Sequence, residues 1–497
     1  TSRISRGGLM SLLIPGTNSI KDTGYDVANS LRFNDGSSEQ LYRVTSAGSD
    51  YKATFSAWVK KSTPEVENTM LYGYYNSNNK HTLNFLNTGE LYINLIVDAS
   101  TKATIQTNRK FRDVSAWTHV VVAWDTTQST SSDRIKVYIN GVQETSLATS
   151  NYPDQNTQIQ FNRNTNGTYV GGQAGSNNFD GYMCEVVYID GTAYDQTSFG
   201  QFDSSSPNVW VPKDVSGLTF GTNGFYCEFK QSGTSTDASG LGADTSGNNN
   251  HLAAQNFASI DQSTDTCTNN GCTLNHLASD TTPIFTNANL TINGNGNNSS
   301  NEGCPATFVL SKGKWYWEMK NESSNHANYI IPGFMDATYY GNLITATGLP
   351  GNYYDANNGF TNNVQGGGDN INYVIHRAGS SNSGLISGGL LQNQVLSFAL
   401  DLDNRKCWFA KDGTYYNSGD PAAGSNETWG TSDIVAGKSY TPVVFHYYTG
   451  SQGSFNFGSP AFSISSGNSD ANGYGNFEYA VPSGFYAINS KNLAEFG

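Results

Sequence analysis

The sequence predicts an all-β protein, built as two β-sandwich domains joined by a long, extended polar segment. Three observations predict it. Runs of alternating or β-branched apolar residues recur along the chain, as half-buried strands require. Turn dipeptides such as Asn140-Gly141 and Asp412-Gly413 close several of these runs as tight hairpins. At 497 residues the chain is too long for a single core and fits two large β domains with connecting segments.

Residues 1–26 form an arm without clear periodicity. Arg3, Arg6 and the apolar Leu9, Leu12, Leu13 and Ile14 are expected to dock it into a neighbouring protein. The first domain spans 27–195. Asn29-Ser30-Leu31-Arg32-Phe33-Asn34 opens it, and Ala53-Thr54-Phe55-Ser56-Ala57-Trp58-Val59-Lys60 alternates cleanly. Strands are expected at 70–75, 81–86, 91–97 and 102–106. Next come Trp117-Thr118-His119-Val120-Val121-Val122-Ala123-Trp124-Asp125 and Arg134-Ile135-Lys136-Val137-Tyr138-Ile139-Asn140-Gly141, two antiparallel strands ending in an Asn-Gly turn. Tyr169-Val170-Gly171-Gly172 and Phe179-Asp180-Gly181-Tyr182-Met183-Cys184-Glu185-Val186-Val187-Tyr188 complete the sandwich.

From 196 to 284 the chain is polar and irregular, with Pro207, Pro212 and aromatic clusters such as Phe220 with Phe225 and Tyr226. A structureless linker of that length is unusual in a compact protein, so the segment is expected to lie along the domains with its aromatics as anchors. The second domain spans 285–460 and opens with Gly313-Lys314-Trp315-Tyr316-Trp317-Glu318-Met319-Lys320. Later strands are Val395-Leu396-Ser397-Phe398-Ala399-Leu400-Asp401-Leu402-Asp403, Cys407-Trp408-Phe409-Ala410-Lys411-Asp412-Gly413 and Tyr440-Thr441-Pro442-Val443-Val444-Phe445. Residues 461–497 form a C-terminal extension.

Charged residues make up 14% of the chain, against about 25% in ordinary soluble domains. Asn, Ser, Thr, Gly and Tyr must therefore cover the surface, as in many extracellular and virion β proteins. A net charge of −14 without a basic patch argues against nucleic-acid binding. No apolar run approaches the ~20 residues of a membrane helix, so no membrane insertion is expected. The short apolar run near the start lacks a cleavage site before Pro15 and Gly16, and no export signal is expected. Six cysteines are too few for a disulfide framework in so long a chain. Cys184, Cys227 and Cys407 read as buried thiols. Cys267 and Cys272 lie close together in a polar loop, with Cys304 further on, and a small Cys267–Cys272 staple is sterically feasible.

The Trp117-x-His119-Val120 motif with Tyr138-Ile139-Asn140-Gly141 resembles the laminin-G-like, concanavalin-A-like sandwiches, whose pattern is W-x-H-V followed by Y-x-N-G. The run from Phe179 resembles that family's F-x-G-x-I-D-E-V, with Cys184 standing where the family has Asp. The resemblance covers about 27–195 and implies binding of glycans or proteins at loop ends. Over about 285–460, four landmarks in order resemble a SPRY domain, whose family shows G-x-W-Y-W-E, a strand ending D-x-D, W-F-x-K-N/D-G and a Y-P-x-V strand. The two modules together, with Gly224-Phe225-Tyr226 and the stretch from Gly484-Phe485-Tyr486 to Leu493, are similar to structural proteins of tailed bacteriophages. That resemblance implies an exposed virion protein, a fibre or appendage subunit, with other virion proteins as partners and a homo-oligomeric state.

Catalytic patterns are absent, and no enzyme activity is expected. A retaining glycosidase needs two carboxylates about 5–5.5 Å apart on one strand face, and no E-x-D-x-E pattern occurs. Asp401 and Asp403 are read as bounding a turn. There is no G-x-S-x-G elbow, H-E-x-x-H helix or P-loop, and His119 is read as a half-buried structural histidine. No cofactor is expected, except that Asp180 or Asp190 could serve a loop calcium ion. An Asp beside Gly is more often a turn residue.

Aromatics are abundant, with 29 Tyr, 25 Phe and 8 Trp. The doublets Tyr74-Tyr75, Tyr339-Tyr340, Tyr353-Tyr354, Tyr415-Tyr416 and Tyr447-Tyr448 would each leave one ring outward in a strand. Outward Tyr suits sugar or protein contact, or packing against a neighbouring subunit. Ligand contact is expected at Tyr339, Tyr340, Tyr353, Tyr354, Asn357 and Asn358. The expected function is lectin-like recognition of a host-surface glycan or protein receptor on the exposed virion surface. The alternatives are a head-decoration or assembly subunit that binds only virion proteins, and a secreted carbohydrate-binding or glycan-cleaving protein.

Overall fold

The computed structural model describes residues 24–63, 69–76, 78–162, 167–173, 176–279, 283–294, 302–323, 330–339, 359–365, 372–377, 380–387, 391–446 and 450–497. The chain forms two compact units, Asp22–Asn270 and Gly271–Gly497, and both are antiparallel β-sandwiches.

In the first unit the strands are β1 (Ser30–Phe33), β2 (Gln40–Val44), β3 (Lys52–Lys61), β4 (Thr69–Tyr75), β5 (Lys80–Phe85), β6 (Glu90–Val97), β7 (Ser100–Lys110), β8 (Thr118–Asp125) and β9 (Ile135–Ile139). They continue as β10 (Val142–Gln143), β11 (Leu147–Asn151), β12 (Gly167–Val170), β13 (Gly181–Asp190), β14 (Gly200–Phe202), β15 (Trp210–Pro212), β16 (Phe225–Cys227), β17 (Ala253–Gln255) and β18 (Gln262–Ser263). One sheet runs β10-β9-β8-β3-β13-β1-β18 with β16 also on β13. The facing sheet runs β11-β7-β6-β5-β4-β12-β2-β17, and β14 and β15 form a separate ribbon.

Alternation explains the core. Phe55 pairs with Val122 and Ala57 with Val120, and all four turn inward to meet Leu83, Leu91 and Ile93 of the facing sheet. Burying one such large apolar side chain stabilises by roughly 1.5–3 kcal/mol. The outward residues of the same strands are not left in water. Val121, Tyr138, Val187 and Ile189 are covered by Phe199, Val215, Phe220 and Tyr226. The segment after residue 195, expected as a connector, therefore belongs to this unit up to Asn270. It adds β16, β17 and β18 to the sheets and roofs one outer face. This is why all ten residues of β13 are buried.

Tyr74 is buried while Tyr75 is 39% exposed, the split that strand alternation demands. His119 is not half-buried as expected but only 1% exposed. Trp58 stacks on it at 4.7 Å between ring centroids, Ser56 Oγ lies 2.9 Å from its Nε2, and Trp210 Nε1 donates to its Nδ1 at 2.9 Å. The Trp210 ring comes from the segment after residue 195 and closes the face that the local pattern leaves open.

The second unit contains β19 (Ile284–Thr286), β20 (Thr291–Asn293), β21 (Glu302–Pro305), β22 (Lys314–Asn321), β23 (Ile330–Asp336), β24 (Gly359–Gln365), β25 (Asn372–Arg377) and β26 (Ser380–Ser387). It continues with β27 (Val395–Asp401), β28 (Lys406–Lys411), β29 (Thr414–Tyr415), β30 (Tyr440–His446), β31 (Gln452–Asn456), β32 (Tyr486–Ala487) and the helix α1 (Ser490–Phe496). One sheet runs β19-β20-β31-β22-β27-β28-β29 with β32 on β22; the other runs β21-β30-β23-β24-β25-β26. Trp315, Trp317, Phe398, Phe409 and Trp429 fill the space between them.

Trp408 and Phe409 face opposite sides of β28, as alternation requires, yet both are fully buried. Phe409 enters the central core. Trp408 joins Tyr316 on the outer face, where Phe477, Phe485 and Ala487 of the C-terminal extension cover them. Asn489 caps α1, its side chain accepting from the Asn492 N–H at 2.9 Å. Asp401 and Asp403 are turn residues. Asp401 accepts from the Asn404 N–H at 2.9 Å and pairs with Lys314 at 3.0 Å, and Asp403 accepts from the Gly313 N–H at 2.8 Å.

Candidate functional site

One end of the first sandwich carries a cleft of about 170 Å³. Five strands reach it at the same end. Val59 and Lys61 finish β3, Phe85 finishes β5, Arg109 and Lys110 finish β7, Thr118 begins β8, and Ile139 finishes β9 before Asn140. Strands β3, β8 and β9 belong to one sheet and β5 and β7 to the other. The cleft is therefore the open seam between the sheets, with the 111–116 loop along its rim.

Its floor is apolar and its rim is a ring of donors. Lys61 is buried, with its Nζ 4.6 Å from the Phe85 ring centroid and 3.5 Å from the Phe111 carbonyl oxygen. Arg109 donates from Nε to Glu144 at 2.7 Å, its side chain 54% exposed. Lys110 pairs with Glu90 at 3.1 Å. Asp113, the lining carboxylate, accepts from the Ser115 N–H at 2.8 Å and its hydroxyl at 2.7 Å. Asn140 is oriented by the His119 N–H, which donates to its Oδ1 at 2.7 Å. Glu144 and Glu90 pair with two of the four lining cations, Arg109 and Lys110, and Asp113 adds a third carboxylate, so the site is donor-rich with little net charge. Such a site can hold a polar, hydroxyl-bearing ligand against aromatic edges.

The sequence expectation did not include these residues. Five strands and a loop assemble the cleft, which no local spacing reveals. One signal was available: Arg109-Lys110-Phe111-Arg112 packs three basic residues into four positions of an acidic chain.

Of the site residues singled out from sequence, none of the described ones lines this cleft. Arg3, Arg6, Leu9, Leu12, Leu13 and Ile14 fall outside the described residues, as do Tyr340, Tyr353, Tyr354, Asn357 and Asn358. Tyr339 ends a short 3-10 turn, Ala337–Tyr339. Asp180 and Asp190 flank or end the ten-residue β13, about 30 Å apart at the usual strand rise, so they cannot share one ion. Asp190 is already filled. It accepts from the Ser49 N–H and Asn162 Nδ2, each at 2.8 Å, and from the Asn223 N–H at 3.0 Å. Among the described residues no group of three His, Cys, Asp or Glu has metal-holding geometry.

The Cys267–Cys272 staple is corrected. All six cysteines are free thiols. The Cys267 side chain meets Cys184, whereas Cys272 lies in the core of the other unit. The tight turn between Thr266 and Asn269 aims Cys267 back at β13.

Residues 33–197 match the family model of the laminin-G-type Concanavalin A-like lectin/glucanases superfamily. This stretch is a concanavalin A-like lectin domain. The cleft lies wholly within it. Among solved structures, the chain is similar to the SPRY domain of human HERC1 (12% identity, covering 33% of this chain and 87% of that one, TM-score 0.24). It is also similar to a heptameric SAP-like pentraxin from Limulus polyphemus (18% identity, 34% and 79% covered, TM-score 0.26). A third similarity is to domain 4 of an extracellular arabinanase from Geobacillus stearothermophilus, solved with arabinotriose (20% identity, 29% and 64% covered, TM-score 0.22). No curated protein matches the chain. Among the described residues no helix is long and apolar enough to cross a membrane.

Proposed function

We propose that this chain is a glycan-recognition protein that binds one sugar unit in the seam cleft of its concanavalin A-like lectin domain, without cleaving it. The observation that carries the reading is the cleft itself: the half-buried Phe111 ring beside Arg109, Lys110, Arg112 and Asn140, with Asp113 as the lining carboxylate and the buried Phe85 and Lys61 closing it from within. The Phe111 ring supplies a flat apolar face, and guanidinium and amide groups supply the donors that sugar hydroxyls accept. We further propose that the protein acts as an exposed structural component of a tailed-phage particle, present in several copies so that weak sugar contacts add up. What supports this is the low charge content and the phage-like segments at 224–226 and 484–493.

Glycan-array binding tests the first part. Replacing Arg109 and Arg112 together with Ala should weaken binding about tenfold or more and leave the melting temperature unchanged, since both side chains are exposed. Unchanged binding would move the site off this cleft. The salt dependence of binding separates an acidic glycan from a neutral one. A particle reconstruction that lacks this subunit would remove the virion reading while leaving the lectin reading intact.

A further inference from the structure

Cys184 and Cys267 are 83 positions apart in sequence, yet the fold packs Cys267 against the buried cluster that contains Cys184, near enough for the two thiols to interact. Cys184 sits on β13 opposite Trp58 of β3 and is fully buried. Cys267 is partly exposed. Both belong to a cluster with Val27, Trp58, Trp117 and Trp210. The turn that carries Cys267 is clamped on each side. Before it, Asp265 pairs with Lys60 of β3 at 2.8 Å. After it, Thr268 Oγ1 accepts from the Val27 N–H at 3.0 Å. These two contacts hold the turn that carries Cys267 against β3 and the segment before β1.

We propose that Cys184 and Cys267 form a specific oxidative modification site, closing to a disulfide when the protein meets a small-molecule disulfide such as oxidised glutathione. Access sets the order of the steps. The Cys267 thiol loses its proton and its sulfur attacks the small disulfide, forming a mixed disulfide and releasing one small thiolate. The Cys184 thiolate then attacks the Cys267 sulfur and displaces the second small thiolate. The protein loses two protons and two electrons, and the oxidant is reduced to two thiols. Burial pushes both cysteine thiols up, Cys267 well up, so the reaction is slow at neutral pH and quickens as the pH is raised. The bond closes a loop of more than 80 residues, which restricts the unfolded chain strongly.

The test is to incubate the full chain with oxidised glutathione at pH 8.5 and map unreduced peptides by mass spectrometry. The expected result is a cross-linked pair containing Cys184 and Cys267, with Cys227, Cys272, Cys304 and Cys407 free. The first unit's melting temperature should rise by roughly 5–10 °C, the rise reversing with dithiothreitol and failing to appear in Cys267→Ser. A Cys267–Cys272 peptide, a stable glutathione adduct on Cys267 without cross-link, or six thiols still free when a denatured control reacts would each overturn the proposal.

Discussion

Lys60 and Asp265 form an ion pair of 2.8 Å in which each side chain is only 2% exposed. The pair ties β3 to the last turn of the first unit, and its remaining valences are filled. Lys60 Nζ also donates to Asn270 Oδ1 at 2.8 Å, and Trp117 Nε1 donates to Asp265 Oδ1 at 3.0 Å. Removing one partner strands a buried charge. Asp265→Ala should therefore destabilise the first unit by about 3–5 kcal/mol, more than an apolar replacement of both partners does. Chemical denaturation of Asp265→Ala and of the double variant Lys60→Met/Asp265→Leu checks this. Equal losses in the two would mean that the charge is not what matters.

Gly141 is expected to tolerate no side chain. Asn140 and Gly141 both have positive φ, 47° and 79°, the twist that a two-residue hairpin turn between β9 and β10 requires. A Cβ on Gly141 would lie 2.1 Å from the Trp210 ring. Gly141→Ala should cost about 2–4 kcal/mol from backbone strain and the displaced ring, read as a fall in melting temperature. It should also perturb the Trp210–His119 hydrogen bond, visible in the His119 ring NMR signals.

That hairpin also marks what the sequence made legible. The Asn-Gly turn, the alternation of Tyr74 with Tyr75 and the opposed faces of Trp408 and Phe409 are local patterns, and local patterns are readable. Trp210 over His119 and Phe485 beside Trp408 are contacts made by chain far away in sequence, so their strands read as half-exposed when they are buried on both faces. The two-sandwich architecture was readable for the same reason that the cleft was not. A sandwich needs only periodicity and turns, whereas Lys61, Phe85, Arg109, Thr118 and Asn140 meet only when five strand ends are placed in space. Cys267 illustrates the point again, since sequence proximity favoured Cys272 and the fold chose Cys184.

Stability of the first unit should show a plateau between about pH 4.5 and 6.5. Burial pushes the Glu39 carboxyl up to about 8, reinforced by the charge of Asp261. Burial also pushes Glu185 up to about 7, against the opposing Tyr226 hydrogen bond. In both cases the native state keeps a proton that the unfolded chain releases above about 4.5, so stability falls as pH rises from there to 7 or 8. His81 and His119 act in the other direction. Burial lowers each to about 3, and the unfolded imidazoles take up protons below about 6.5, so stability falls as pH drops from 6.5 toward 3. Two opposing pairs cancel between the limits. Glu185→Gln keeps an acceptor for Tyr226 but removes the ionisation, and should recover on the order of 3 kcal/mol at pH 8 and little at pH 4.5. Thermal midpoints of both proteins from pH 4 to 9 would show it. Identical alkaline limbs would exclude Glu185 as a source.

Glu318 should hold the C-terminal extension against the second sandwich. Its buried carboxyl accepts from the Tyr316 hydroxyl at 2.9 Å, from Asn456 Nδ2 at 3.2 Å and from the backbone N–H groups of Glu478 and Tyr479, each at 2.9 Å. The two N–H groups come from the segment whose Phe477 packs on Tyr316, with ring centroids 5.0 Å apart. Glu318→Ala removes the carboxylate that four donors share, of which Asn456 Nδ2 keeps a second acceptor, the Asn476 carbonyl at 2.9 Å, and should cost about 3–5 kcal/mol. Glu318→Gln retains one accepting oxygen but turns an NH2 toward the other donors, and should cost less, about 1–3 kcal/mol. Because the loss falls where the extension is fastened, limited proteolysis should cut Glu318→Ala within residues 458–479 before either sandwich is degraded. Cleavage at the wild-type rate would mean that Phe477 and Phe485 fasten the segment by packing alone, and that the carboxylate only satisfies donors already held in place.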